Sequence, residues 1–191
     1  MKDPSDPLRG LAAARESRGP APVHLWNPPY CGEIDMRIAR DGTWFYNGTP
    51  IGRPALVKLF SGILRKDPER FVLVTPVERV GIKVEDAPFL GVEFLRDGEG
   101  ERQVLRLRTN VDDWVEISAQ FPLKFLPGDS GGLKPYALVR GDLWALVKRA
   151  LFYDLVAWGE ARTVAGEEMF GVWSRDAFFA MAPMRELADL T

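Results

Sequence analysis

The chain has 191 residues, 46% of them apolar, and its 25 basic and 27 acidic side chains leave a formal charge of -2. This length can bury one sizeable core or two small ones, and the balanced charge argues against a dedicated nucleic-acid binder. A single cysteine excludes an internal disulfide, and no apolar run reaches the roughly 20 residues that cross a bilayer. We therefore expect a cytoplasmic protein that does not insert into membranes and binds no DNA or RNA.

The first 29 residues differ from the rest in composition. Six of the 15 prolines fall there, mixed with charged residues. Residues 8–17 could form a short helix, but an isolated helix of this length is marginal in water. We predict that residues 1–29 are a flexible tail.

The predicted N-terminal domain, residues 30–98, begins with a hairpin. Apolar and polar residues alternate over 34–38, as in a half-buried strand, and Asp41-Gly42 is a typical hairpin turn. Pro54 suits the first turn of a helix, which is followed by apolar residues at helical spacing up to Leu64. Further strands are predicted at 71–75, 80–84 and 89–95.

The predicted C-terminal domain, residues 99–191, follows a polar, glycine-containing junction at 96–102. Strands are predicted at 103–109, 114–118, 123–126, 136–139, 170–174 and 177–181. A second helix is predicted over 143–158, with Asp142 at its start and Gly159 after its end.

The two predicted helices share the tetrapeptide ALVK, at 55–58 and at 145–148, ninety residues apart. Together with a similar order of elements in each half, this repeat indicates a duplication. The predicted fold class is therefore α+β, with two related domains that each contain a mainly antiparallel sheet and one principal helix.

The GDSGG run at 128–132 resembles the nucleophile loop of trypsin-like serine proteases. That chemistry needs a histidine base. The single histidine, His24, lies in the proline-rich segment without the flanking sequence of that family. We interpret the run as a flexible loop.

Cys31 has no histidine near it in the predicted ordered region, so a small buried residue is the preferred interpretation, with a redox-sensitive thiol as the alternative. Metal-binding motifs with tight ligand spacing are absent, so we predict no metal site. Five carboxylates remain candidates for acid–base chemistry or for ion pairs and caps: Asp35, Glu78, Glu85, Asp86 and Asp154.

Polar residues, carboxylates and prolines cluster at the ends of the predicted strands in 71–89, which indicates a rigid, charged rim where a ligand could bind. Arg53 and Arg140 each precede a predicted helix, where anions are favoured. The predicted ligand-binding residues are Arg53, Thr75, Pro76, Glu78, Glu85, Asp86, Phe89, Asn110 and Arg140.

Several longer runs carry a family resemblance: CG at 31–32, IDMRI at 34–38, GTWFYNG at 42–48, PI at 50–51, LVTPVE at 73–78, VEDAPF at 84–89 and TN at 109–110. Over about 31–180 the chain resembles the bacterial domain-of-unknown-function family numbered twelve eighty-five. The resemblance implies a duplicated two-domain core whose C-terminal domain is similar to a pleckstrin-homology fold. It also implies a nucleotide-based ligand at the domain interface and a role in signal transduction, including under oxidative stress.

The expected function is that of a non-enzymatic ligand-binding or regulatory protein, which binds a small molecule between its domains and has no certain cofactor. A protein–protein interaction module is the alternative, and a large exposed apolar patch would favour it. A carboxylate-dependent enzyme ranks third, because no complete catalytic constellation is present; two close carboxylates, one with a raised pKa, would favour it.

Overall fold

The structure is a computed structural model, and it describes residues 21–128 and 131–188. The chain divides into two compact units, of which the first ends at Pro88 and the second begins at Phe89, with Gly141–Leu143 grouped with the first. The sequence analysis placed this boundary between residues 98 and 99. The difference arises because the strand Phe89–Asp97 pairs with strands of the second unit. The predicted helix at 8–17 lies outside the described residues.

The first unit contains a six-stranded sheet and one helix. Its elements are β1 (Tyr30–Ile38), β2 (Trp44–Tyr46), β3 (Thr49–Pro50), helix α1 (Pro54–Gly62), β4 (Leu64–Lys66), β5 (Phe71–Val74) and β6 (Arg79–Val84), preceded by a 3-10 turn at Val23–Leu25. The strand order is β3-β2-β1-β6-β5-β4. Only the central pair, β1 and β6, is parallel.

The second unit contains a six-stranded sheet, a three-stranded sheet and two helices. Its elements are β7 (Phe89–Asp97), β8 (Val104–Thr109), β9 (Trp114–Glu116), β10 (Leu123–Pro127), β11 (Leu133–Arg140), β12 (Leu143–Val147), helix α2 (Arg149–Ala157), β13 (Glu160–Val164), β14 (Glu167–Ser174), β15 (Ala177–Pro183) and helix α3 (Met184–Ala188), with a 3-10 turn at Gly100–Arg102. The larger sheet has the order β10-β11-β12-β7-β8-β9, in which β12 and β7 are parallel. The smaller sheet, β13-β14-β15, is antiparallel.

The two six-stranded sheets have the same topology. Each consists of two consecutive groups of three strands, and the first strand of the first group lies parallel to the last strand of the second group. This repeat confirms the duplicated two-domain architecture. Its offset differs from the predicted ninety residues, because β1 begins at Tyr30 and its counterpart β7 begins at Phe89.

The shared ALVK tetrapeptide is not part of this repeat. Residues 55–58 lie in α1, whereas Ala145 and Val147 lie in β12. The predicted helix over 143–158 is therefore wrong for its first five residues. Buried and half-buried positions alternate in β12, which is the period of a strand, and the helix begins only at Arg149. An apolar run such as LWALV fits either period until its neighbours in the sheet are known.

Strands dominate both units, so the fold is more sheet-rich than the predicted α+β class, although each unit does contain one principal helix. In the first unit, Phe60 of α1 stacks on Trp44 of β2 with ring centroids 6.3 Å apart. In the second, fully buried Leu155 anchors α2, and Trp158 meets Phe94 of β7 edge to face. The likeness of the C-terminal domain to a pleckstrin-homology fold stays a prediction.

Part of the segment expected to be a flexible tail packs on the first unit. Arg65 of β4 donates hydrogen bonds to the carbonyl oxygens of Val23 at 2.9 Å and Trp26 at 2.7 Å. The Pro29 carbonyl accepts a hydrogen bond from the backbone N–H of Arg79 at 3.2 Å. Composition could not reveal this, because the donors lie some forty residues or more along the chain. Within the described residues, no helix has the length and apolar character needed to span a membrane.

Candidate functional site

Three predicted site residues, Thr75, Pro76 and Glu78, form the tight turn between β5 and β6. The Thr75 hydroxyl is buried and accepts hydrogen bonds from the backbone N–H groups of Val77 at 3.4 Å and Glu78 at 3.2 Å. The Thr75 N–H donates to the Glu78 carbonyl at 2.9 Å. Thr75 therefore stabilises the turn. One carboxylate oxygen of Glu78 is shielded from solvent, and no described residue donates a hydrogen bond to it.

Glu85 and Asp86 follow the other end of β6. The strand has six residues and spans about 20 Å, so Glu78 and Glu85 do not lie side by side. The Glu85 carboxylate accepts hydrogen bonds from the Arg37 guanidinium at 2.5 Å and from the Arg40 N–H at 3.2 Å. The hydrogen bond from Arg37 is the largest cause of the lowered pKa of Glu85. This carboxylate therefore joins β1 to β6.

Phe89, Asn110 and Arg140 come together at one corner of the second unit. Phe89 is fully buried, and the Arg140 guanidinium carbon lies 5.0 Å from its ring centroid. Arg140 also forms an ion pair with Asp113. Asn110 exchanges two hydrogen bonds of 2.9 Å with the backbone of Leu90. Asp113 was not among the predicted site residues, although its place in the Asn-Val-Asp-Asp turn was a usable signal.

The two arginines predicted to precede helices differ in their surroundings. Arg53 is exposed and is the N-terminal capping residue of α1, without a side-chain capping hydrogen bond. Arg140 is the last residue of β11 and is followed by strand β12, so the prediction that it precedes a helix is wrong. This error has the same origin as the wrong start of the predicted helix at 143–158, because residues 143–147 form a strand.

Cys31 and two carboxylates outside the predicted site, Asp41 and Glu116, have the following surroundings. Cys31 is exposed, contrary to the preferred interpretation, and its thiol lies 3.6 Å from the Pro29 carbonyl oxygen. Hydrogen bonds lower the pKa of Asp41, through the Thr43 N–H, and of Glu116, through Arg175. The described ranges contain no group of three side chains arranged to hold a metal ion.

The GDSGG run joins β10 to β11. The N–H of Gly128 donates to the Gly132 carbonyl at 2.9 Å, and Gly131 and Gly132 have φ values of 84° and 76°, which glycine adopts readily. Asp129 and Ser130 lie outside the described residues. His24 belongs to the 3-10 turn of the first unit.

Two lysines and two aromatic residues form a further surface on the second unit, which we call the Lys124 face: Lys124, Lys134, Tyr136 and Trp144. Lys124 of β10 is the cross-strand neighbour of Tyr136. Its ammonium nitrogen lies 3.8 Å from a Trp144 ring centroid and 5.5 Å from the Tyr136 centroid. The Lys134 ammonium lies 5.6 Å from the same Tyr136 centroid.

The strands that supply the Lys124 face, β10, β11 and β12, contain basic residues and no acidic residue. Among the described residues, no carboxylate pairs with Lys124, and burial lowers the pKa of its ammonium group. Aromatic rings attract a cation but replace only part of its hydration. An anionic group next to Lys124 would be stabilised, and the Trp144 ring lies beside that position. This surface was not predicted from the sequence, because its residues come from three strands.

These features define a duplicated, sheet-rich protein of two domains. The chain belongs to the DUF1285 family: its residues 21–87 match the "Domain of unknown function (DUF1285), N-terminal domain" and its residues 88–181 match the "Protein of unknown function (DUF1285), C-terminal domain". The boundary between the two matches lies within one residue of the boundary between the two compact units.

Two solved structures are similar to this chain. A DUF1285 family protein from Silicibacter pomeroyi DSS-3 is 50% identical, with a TM-score of 0.85 over 93% of this chain and 97% of that one. A DUF1285 family protein from Shewanella baltica OS155 is 29% identical, with a TM-score of 0.50 over 64% of this chain and 90% of that one. The comparison with curated proteins gave no match.

Proposed function

We propose that this protein is a non-enzymatic ligand-binding protein with a regulatory role, and that the Lys124 face binds a small molecule with an anionic group and a planar ring. One observation carries this proposal: the half-buried Lys124 ammonium lies 3.8 Å from a Trp144 ring centroid without a carboxylate partner among the described residues. A nucleotide combines both chemical parts and is the first ligand class to test.

The anionic group would pair with Lys124, and the planar ring would stack on Trp144. A charge-assisted hydrogen bond to a half-buried ammonium is stronger than one formed in water, because fewer water molecules compete for the donor. Ligand binding would then favour one conformation of the protein over others, which is how binding becomes a signal.

A carboxylate-dependent enzyme has less support. That mechanism calls for two neighbouring carboxylates, one of which has a raised pKa. Three carboxylates of the described residues, Asp41, Glu85 and Glu116, have a lowered pKa and accept hydrogen bonds from neighbouring groups, which is the opposite of what a general acid needs. A protein-interaction role stays an untested alternative.

The test is a thermal-shift screen of the full chain with nucleotides and aromatic carboxylates, followed by calorimetric titration. A ligand at a hundred times its Kd stabilises the folded state by about 2.7 kcal/mol, which corresponds to roughly 5–10 °C for a chain of this size. Lys124→Gln and Trp144→Leu should each weaken binding about tenfold. The matched control is Lys83→Gln, which changes an exposed lysine of the first unit.

A screen in which no compound shifts the melting temperature would contradict the proposal. So would a ligand that binds Lys124→Gln and wild type with the same Kd. Circular dichroism of each variant checks that the sheets have formed.

A further inference from the structure

Tyr30 and Arg70, neither of which is a predicted site residue, form a pair of hydrogen-bond donors on the first unit. The Arg70 guanidinium donates a hydrogen bond of 2.8 Å to the Tyr30 hydroxyl oxygen. Its central carbon lies 4.8 Å from the Tyr30 ring centroid. Both side chains are more than a third exposed, so a ligand can reach them from solvent.

The Tyr30 hydroxyl proton is available to donate a hydrogen bond to a ligand. Its oxygen accepts from Arg70, and none of the described residues accepts a hydrogen bond from it. A phenol that accepts a charge-assisted hydrogen bond becomes a better donor, because the two bonds polarise each other. The pair therefore presents an O–H and guanidinium N–H groups side by side, which suits two oxygens of one oxyanion.

The strands fix the position of the Tyr30 ring. Gly81 of β6 leaves the space that the ring occupies, since a Cβ at that position would lie 2.7 Å from the Tyr30 hydroxyl oxygen. Tyr30 is also the β1 neighbour of Arg79 on β6, and the Arg79 guanidinium carbon lies 5.9 Å from the ring centroid. The donor pair is thus held by the parallel central strands of the sheet.

The guanidinium groups and carboxylates in and around the pair are equal in number, so the feature that favours an anion is that two of the carboxylates are weakly held. The Asp67 carboxylate is largely buried and uses one oxygen for Arg65 at 2.8 Å and the other for Arg79 at 3.0 Å. One carboxylate therefore serves two guanidinium groups. The carboxylates that pair with Arg70 among the described residues are Glu69 at 3.5 Å and Glu33 at 3.9 Å, and they are 83% and 74% exposed. Such exposed pairs contribute little and can be displaced.

We propose that Tyr30 and Arg70 bind a phosphate group, with Arg79 adding positive charge. The Arg70 guanidinium would donate to one phosphate oxygen and the Tyr30 hydroxyl to another, while Glu69 and Glu33 move aside. This site is independent of the Lys124 face, because its residues all belong to the first unit and its ligand needs no planar ring.

The test is titration of the full chain with inorganic phosphate and with glycerol phosphate at constant ionic strength, followed by phosphorus NMR. Wild type should bind phosphate saturably with a Kd below about 10 mM. The affinity should be at least tenfold weaker in both Tyr30→Phe and Arg70→Gln. Tyr30→Phe keeps the ring and removes only the hydroxyl. Glu69→Gln should bind phosphate severalfold more tightly, because a competing carboxylate is removed.

The matched control is Arg37→Gln. Like Arg70, Arg37 lies over an aromatic ring, with its guanidinium carbon 4.2 Å from the Phe45 centroid, and it pairs with a carboxylate, that of Glu85. Its phosphate affinity should equal that of wild type. Absence of saturable binding, or an unchanged affinity in either Tyr30→Phe or Arg70→Gln, would overturn the proposal. Lys124→Gln should bind phosphate at this site like wild type, so failure here is separable from failure at the Lys124 face.

Discussion

The fully buried side chain of Gln103 donates a hydrogen bond of 2.7 Å to the carbonyl oxygen of Trp173. Gln103 precedes β8 of the six-stranded sheet and Trp173 lies in β14 of the three-stranded sheet, 70 residues along the chain. The neighbouring Ser174 hydroxyl accepts from the Leu105 N–H at 2.9 Å and donates to the Ile117 carbonyl at 2.7 Å. Buried polar groups thus join the two sheets of the second unit.

Gln103→Leu should destabilise the protein by about 1–3 kcal/mol. The substitution leaves the Trp173 carbonyl without its donor and removes the acceptor of a 2.9 Å hydrogen bond from Arg96. Urea unfolding measures the change. The control Gln120→Leu alters an exposed glutamine and should stay within about 0.5 kcal/mol of wild type. Equal effects of the two substitutions would contradict the role assigned to Gln103.

Thr75→Val should destabilise the first unit by about 1–3 kcal/mol. Valine keeps the shape of threonine but removes the acceptor for the N–H groups of Val77 and Glu78. The measurement is the denaturant midpoint, with Thr163→Val on the exposed strand β13 as the control. If Thr75→Val is as stable as wild type, the turn does not depend on this hydroxyl and its role in a ligand site regains support.

Stability should decrease at acid pH partly through Glu85. Arg37 lowers the pKa of Glu85 below its ordinary value of 4.5, so the carboxylate stabilises the folded state above that pH. This contribution is lost as the pH falls through the lowered pKa, because the folded state must then bind a proton. Glu85→Gln should therefore lose less stability than wild type between about pH 5 and pH 3. Urea unfolding curves measured across this pH range test the prediction, and Glu168→Gln, which changes an exposed glutamate, is the control. The prediction is wrong if the stability of wild type and of Glu85→Gln changes with pH in the same way.

Strands with clear local signals were predicted well. The hairpin at Asp41-Gly42 and the strands β5 and β6 occur close to their predicted positions, since alternation and turn residues act over a few positions. The segment 143–147 was predicted wrongly, because every position in it is apolar and it shows neither a helical nor a strand period in the sequence. Its assignment depends on β7, which pairs with it from more than fifty residues away.

The predicted site residues show the same difference between local signals and contacts of distant residues. Polar residues do follow the strands, but the ends of β6 are far apart, so Glu78 and Glu85 have different neighbours. Phe89 and Arg140 do meet, at a corner where β7 begins and β11 ends. The composition gave no sign of Lys124 lying over Trp144, because that contact depends on which strands are adjacent.

By itself, the sequence determined that the chain has two related halves and that it belongs to a family which its longer runs already indicated. Those properties can be recognised from the order of the residues and from hydrophobic patterns that repeat every few residues. Only the tertiary structure decided that β1 lies parallel to β6, that Asp67 holds Arg65 and Arg79, and that Tyr30 meets Arg70. Such contacts join residues far apart in the chain, and their partners are selected by the packing and hydrogen bonding of the whole sheet rather than by local propensity.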